Sequence, residues 1–275
     1  MKFKLRTLFI ILISLATIAP VCVLSGGDTS IHGGEVDLTD GALVEVIGEN
    51  AEIRVRRVTT NTLRWDATLN NAEYVDFYTQ SLTGAPVNHH VISATTSAGG
   101  ATTANSVIEI ELPVGTQLVV RTTNRPIVID SVTVTSASLT TSDGKISVVN
   151  SSGNFDLSTT NSEVTVQGLI GHVNVATTNA HVWFDGVVSE GTNSISTTNG
   201  DIAVRLRNGS DVTVSGSTHN GDVTVNAGKD GVIKDGDTAT LEHLFGSGSA
   251  SLNITNGPGA IHINPNTIAV FDGDG

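Results

Sequence analysis

The stretch Leu118-Val119-Val120-Arg121-Thr122-Thr123-Asn124-Arg125-Pro126-Ile127-Val128-Ile129 carries a phrase that returns along the chain: apolar-x-apolar-x-Thr-x-Asn-x-x-apolar-x-apolar. Its second copy is Ala137, Leu139, Thr141, Asp143, Ile146 and Val148, and its third is Phe155, Leu157, Thr159, Asn161, Val164 and Val166. Val173, Val175, Thr177, Asn179, Val182 and Phe184 follow. Ile195 then precedes Thr197, Asn199, Ile202 and Val204, and the run closes on Val212, Val214, Gly216, Thr218, Asn220, Val223 and Val225. The Asn position moves from 124 through 143, 161, 179 and 199 to 220, in steps of 18 to 21 residues. A short fixed period with one hydrophobic phrase per period predicts stacked repeats, none of which buries its apolar side alone.

Alternation at period 2 places the apolar residues, the Thr and the Asn on one side of extended strands. Two strands per period, stacked in parallel about 4.8 Å apart, would share ladders and bury that side. The sequence therefore predicts an all-β, single-stranded parallel β-helix, or β-solenoid, with 18–21-residue rungs. A hairpin meander is the rival, since Asn199-Gly200 alone is a strong hairpin signal. The constant phase of Thr-x-Asn in every copy argues against it. In the solenoid, Asn50, Asn124, Asp143, Asn161, Asn179, Asn199, Asn220 and Asn256 form an inward structural ladder at a corner that tolerates left-handed backbone.

Composition agrees with stacked short strands. The 275 residues include 29 Gly, 6 Pro and 1 Cys, with 4% aromatics and a formal charge of −13. Lys2, Lys4 and Arg6 precede an apolar run from Leu8 to Ala19, so residues 1–25 read as a signal peptide or N-terminal anchor of an exported protein. Val21 before Cys22 makes a poor lipoprotein junction. Removing the three basic residues leaves −13 − 3 = −16, which argues against nucleic acid and anionic membrane surfaces as partners. The one cysteine lies in that leader, so the remaining chain has no disulfide framework.

Residues 26–113 read as a first rung (Val44, Val46, Gly48, Asn50, Ile53, Val55) followed by an irregular antiparallel excursion that caps the stack. Residues 114–275 hold the repeats, with an insertion at 227–249 in which Thr238 to Phe245 is expected to form a helical turn or two. Leu252, Ile254, Asn256, Ile261 and Ile263 read as the last rung, with Ile254 in the Thr slot.

The run Ile110-Glu111-Leu112-Pro113, then Leu118 to Asn124, followed by Thr-Thr-Asn-Gly-Asp-Ile at 197–202 and Asn220 to Val223, resembles a family of bacterial putative adhesins. These are exported β-strand-repeat domains without an established function. The resemblance covers residues 42–225 and implies an exported solenoid with a surface role. It carries no catalytic residues to this chain. Arg125-Pro126 and the excursion between Thr59 and Asn105 depart from the family pattern.

Function then rests on outward positions. Thr123, Ser142, Thr160, Thr178 and Thr198, with Trp183 as a sugar-stacking side chain, form the candidate face for a glycan or another surface protein. The Thr array also admits ice binding. The alternative of a carbohydrate-active β-helix enzyme would draw on Glu163, His181, Asp201, Arg205 and Asp222. The expected reading is a non-enzymatic, cofactor-free protein. Asp235-Gly236-Asp237 and Asp272-Gly273-Asp274 are the two oxygen-rich turns that could take calcium, and His89-His90 reads as a solvated turn.

Overall fold

The computed structural model describes residues 29–82, 88–96, 105–226 and 231–264. Apart from one 3-10 turn, Ala72–Tyr74, these residues are all-β, in a 22-stranded mixed sheet. The first part holds β1 (Thr29–Asp37), β2 (Leu43–Gly48), β3 (Ala51–Arg57), β4 (Thr62–Asn70), β5 (Val75–Leu82), β6 (His89–Thr96) and β7 (Asn105–Leu112). The regular repeats supply β8 (Thr116–Arg121), β9 (Ile127–Asp130), β10 (Thr133–Thr140), β11 (Ile146–Val149), β12 (Ser152–Ser158), β13 (Val164–Ala176), β14 (Val182–Val188), β15 (Gly191–Thr197) and β16 (Ile202–Leu206). Then come β17 (Val212–His219), β18 (Val223–Val225), β19 (Val232–Asp235), β20 (Thr238–Phe245), β21 (Ala250–Asn256) and β22 (Ile261–Ile263). The signal-peptide reading of residues 1–25, Cys22 and the Asp272–Asp274 turn lie outside the described residues.

Parallel pairing sorts the repeats into two columns of strands. In the first, β8, β10, β12, the second half of β13 and β15 lie side by side, so that equivalent positions of successive repeats become partners. Val120, Leu139, Leu157, Val175 and Ile195 form one such row. In the second, β9, β11, the first half of β13, β14 and β16 do the same, with Ile127, Ile146, Val164, Val182 and Ile202 in one row. Both rows are buried. The apolar phrase is thus satisfied by its own next copy, at roughly 25 cal/mol per Å² of apolar surface removed from water.

Two kinds of corner join the columns. Where the first column passes into the second, the Gly of Asp143-Gly144 and of Asn199-Gly200 lies against the carbonyls of Arg125 and Ala180, leaving no room for a Cβ. Neither glycine has a positive φ; close backbone approach is what excludes a side chain. Left-handed backbone is used instead at the return corner, by Ser131 (φ 57), Asn150 (φ 48) and Gly168 (φ 74). Among the predicted ladder residues only Asn50 (φ 54) and Asn220 (φ 61) are left-handed, which corrects the expectation for the rest.

The ends depart from chain order. β2 pairs with both β6 and β8, and β3 with both β7 and β9, so the first repeat sits inside the stack. At the other end β21 lies between β15 and β17, and β22 between β16 and β18. The repeat that comes last in sequence is therefore second to last in space. Its phase is also corrected: Ile254 partners Ile195, and Asn256 partners Thr197 and Thr218, so Asn256 fills the Thr slot.

Antiparallel strands close both ends of the stack. β4 pairs with β7 and with β1, β5 pairs with β6, and β20 pairs with β17 and with β19. The sheet is mixed: the sequence predicted a parallel stack with an antiparallel cap at its N-terminal end alone, and antiparallel strands close the other end as well. Within the N-terminal excursion β6 and β7 are parallel to β2 and β3, so only part of it is antiparallel. The helical turn expected at 238–245 is strand β20: Ala239 and Leu241 are buried while Thr240 and Glu242 are exposed, a period of two.

Candidate functional site

The Thr slot is the buried polar column. Thr122, Thr141, Thr159, Thr177, Thr197 and Thr218 are all buried, and their hydroxyls donate to corner carbonyls. Thr122 Oγ1 reaches Ala51 O at 2.8 Å, Thr197 reaches Ala180 O at 2.9 Å, and Thr218 lies 2.7 Å from both Gly257 O and Gly259 O. Each hydroxyl answers a carbonyl that the turn takes out of the strand ladder.

The Asn positions lie on the outside, which corrects their inward assignment. Asn124, Asp143, Asn161, Asn179, Asn199 and Asn220 are exposed, Asn50 is half-buried, and only Asn256 is buried. Period-2 alternation ends at the Thr, because the chain turns there, and the next two residues swing outward. The side chains still connect repeat to repeat. Asn161 Nδ2 donates to Asp143 Oδ1 at 2.6 Å, Asn179 to Asn161 Oδ1 at 2.8 Å, and Asn199 to Asn179 Oδ1 at 2.9 Å; Asn124 donates to Asn50. Asn256 acts as the threonines do, donating to Gly200 O at 2.7 Å and Ala260 O at 3.2 Å.

Beside them run Thr123, Ser142, Thr160, Thr178 and Thr198. Ser142 N–H donates to Thr123 O, Thr160 N–H to Ser142 O, and Thr178 N–H to Thr160 O, at 3.1, 3.1 and 3.3 Å. All but Thr123, whose hydroxyl accepts Asn50 N–H at 3.1 Å, are exposed. The outer face of the first column continues this surface, with a shallow cavity of about 230 Å³ lined by Ser138, Thr140, Asp156, Asn174, Ser194 and Ser196 among others. Trp183 is elsewhere. It is half-buried on β14 in the second column, between Thr165 and Ala203 in register.

The acidic and basic strip is taken up by local pairs. Glu163 accepts from Lys145 at 3.2 Å and from Thr165 Oγ1 at 2.5 Å. Burial alone would raise its carboxyl, and these bonds outweigh that, leaving it below the usual value. Asp201 N–H donates to His181 Nδ1, and Asp201 Oδ1 accepts from Ala260 N–H. Asp201 and Asp222 are separated by the inserted repeat, since Ile261 N–H reaches Asp222 O while Ile202 N–H reaches Ala260 O. Among the described residues no group of three or more His, Cys, Asp or Glu gathers as for a metal. Asp235 ends β19, and Gly236 and Asp237 form the turn after it; all three are exposed.

Two groups escaped the sequence reading. Asp185, in the middle of β14, is 0% exposed; Arg207 binds it through Nε (2.7 Å) and Nη2 (2.9 Å), and Arg205 through Nη2 (2.5 Å). Burial opposes its charge, but the Arg207 and Arg205 hydrogen bonds prevail and hold the carboxyl below its ordinary value. No local signal in the sequence marks it; only the position of Arg205, one period on from Asp185, does. His90, expected in a solvated turn, is buried in β6. Its Nδ1 lies 2.7 Å from Ser81 Oγ and its ring centroid 4.7 Å from that of Trp65. Burial, with the neighbouring His89, lowers its pKa to about 4.

No family model matches the chain, and no curated protein does. Among solved structures the chain is similar to a putative cell adhesion protein from Clostridium sporogenes, at 12% identity over 86% of this chain and 100% of that one, with a TM-score of 0.45. A putative adhesin from Parabacteroides merdae is similar at 11% identity over 85% and 95%, with a TM-score of 0.37. A putative lipid binding protein from Parabacteroides distasonis is similar at 13% identity over 85% and 96%, with a TM-score of 0.31. Two further similar structures, from Parabacteroides distasonis and Bacteroides fragilis, are also named putative adhesins.

Proposed function

We propose that this chain is a non-enzymatic extracytoplasmic protein of adhesin type, its two columns the rungs of a β-solenoid, which holds a glycan on its flat hydroxyl-rich side. One observation carries the reading. Ser142, Thr160, Thr178 and Thr198 stand exposed at the same corner of successive repeats, their backbones tied in register. Strand spacing then sets their hydroxyls about 4.8 Å apart. A periodic row of fixed donors and acceptors is complementary to the repeating hydroxyls of an extended polysaccharide, and a preformed array loses little entropy on binding. The basic and apolar N-terminal run supports delivery outside the cytoplasm.

The test is a glycan array with the protein spanning 26–275, beside the double variant Thr160→Arg, Thr178→Arg. Binding of one glycan class by the parent, weakened at least tenfold in the variant, is expected. Depolymerisation of a bound polysaccharide would replace the reading with the enzyme alternative.

A further inference from the structure

We infer that the outer face of the first column ends, across β21, β17, β20 and β19, in a binding groove for a neutral oligosaccharide. The inference rests on the reading of the chain as a saccharide-binding protein, but uses a surface apart from the hydroxyl corner. Two rows fixed by register cross it. Ser194 partners Asn253, which partners Ser215, which partners Glu242. Two residues along, Ser196, Thr255, Ser217 and Thr240 are partners in the same way, and Ile233 on β19 follows Thr240. These side chains alternate outward from the buried Leu252, Ile254, Val214 and Leu241.

The face is not equally engaged along its length. In the middle the first row satisfies itself, for Asp156, Asn174 and Ser194 are register partners. Asn174 Nδ2 donates to Asp156 Oδ1 at 2.8 Å, and Ser194 Oγ donates to Asn174 Oδ1 at 2.9 Å. Beyond β15 that series of bonds stops. Among the described residues, the side chains of Asn253, Ser215, Glu242, Thr255, Ser217 and Thr240 make no hydrogen bond or ion pair. The cavities differ likewise. The one in the middle holds about 230 Å³, whereas the one lined by these six side chains holds about 690 Å³. Small-molecule sites span about 300–1,000 Å³. Gly216 and Gly231 line the larger cavity without side chains, and the exposed Ile233 gives it an apolar rim.

Charge decides the ligand. Glu242 is the one ionisable residue that lines the cavity. In the next row His219, Thr238 and Asp235 are partners, and Lys234 turns to the opposite face, where it reaches Asp222 at 3.2 Å. A carboxylate accepts charge-assisted bonds from sugar hydroxyls, while the Asn253 amide and the Ser and Thr hydroxyls both donate and accept. The C–H side of a pyranose lies against Ile233. An anionic saccharide instead brings its charge to Glu242, on a chain whose formal charge is −13. The groove thus selects for the neutral chain.

Calorimetry on the full chain with cellotetraose, mannotetraose and maltotetraose tests this, with tri-galacturonic acid as the anionic control. Saturable binding of a neutral oligomer is expected, at least tenfold tighter than that of the acid. Ser215→Trp, which fills the groove from an exposed position, should weaken it at least tenfold. Glu242→Gln should weaken it too and narrow the difference between neutral and acidic sugars. Unchanged thermal unfolding verifies both folds, and if Ser215→Trp does not fold, Glu242→Gln alone decides. Binding indifferent to the substitutions, equal affinity for the acid, or no binding of any neutral oligomer overturns the groove. If only the Thr160→Arg, Thr178→Arg protein loses binding, the proposed function stands and this site falls. If the parent holds no glycan on the array either, both fall.

Discussion

Between β8 and β16 the order of strands in space is the order in sequence; at both ends it is not. In the middle, each repeat is laid on the one before it, and every buried residue meets its own counterpart. At the ends, β2–β3 and β21–β22 are each enclosed by repeats from both sides. The middle shows how far a local phrase can specify a stack, since phrase and partner are one period apart. The ends show that something else decides where the stack stops. An outermost strand leaves backbone donors and acceptors unpaired, and a regular repeat there would invite another chain. Here the first column ends under irregular, antiparallel strands, β5 at one end and β20 with β19 at the other.

The largest expected effect separates the two regions. Leu157→Ala and Leu252→Ala both open a cavity in the buried row and should each cost about 2–5 kcal/mol. Their reach should differ. Loss of hydrogen-exchange protection from Leu157→Ala is expected to stay within β10, β12 and β13. Leu252→Ala should expose β15 through β18 together, because β21 is the strand that joins them. Equal, local patterns in the two variants would dissolve the distinction.

A smaller effect belongs to the N-terminal end alone. The unfolded chain protonates His90 near pH 6.5, whereas the folded chain keeps it neutral down to about 4. Stability is then full above pH 6.5 and declines as the pH falls toward 4, because the unfolded state takes up the proton first. From pH 7 to 4.5 this contributes a loss of about 2 kcal/mol. Urea midpoints at the two pH values should converge by that amount in His90→Phe, and an unaltered slope would remove His90 as its source.

The smallest effects lie in the middle and rank its corner residues. Thr218→Val strands two carbonyls and should cost about 1–3 kcal/mol, Asn179→Leu breaks two exposed amide bonds for about 1 kcal/mol, and Thr178→Val should stay within about 0.5 kcal/mol. Thermal unfolding of the three proteins gives the order. Were Asn179→Leu the worst, the exposed amides would outweigh the buried hydroxyls and the corner would need another account.

What was legible in the sequence follows the same division. The apolar rows and the Thr slot were readable because strand alternation and repeat period are both local. The Asn side was misread because alternation was carried through a corner where the chain no longer extends. Asn256 was misplaced because an Asn served as the index of phase, although there it takes the part of a threonine. Thr238–Phe245 carried a visible alternation, Ala239 and Leu241 against Thr240 and Glu242, that its short length obscured. The burial of Asp185 and His90 was harder to read: each depends on residues from strands that only the fold brings near, and of their partners only Arg205, one period from Asp185, stands at a telling spacing.

The enclosure of β21–β22 has a consequence for how such a chain is made. During synthesis, β15 to β18 emerge before the segment that belongs between them exists. Growth from N to C can complete the stack only as far as β16; β17 can pair with β20, but neither β17 nor β18 can join the stack until β21 and β22 arrive. Long-range closure of this kind is slow and leaves apolar edges open meanwhile. A chain cut short before Ala250 thus carries a vacant slot between β15 and β17 that a chain running through β22 does not, so completion of the stack doubles as a check that β21 and β22 have been made.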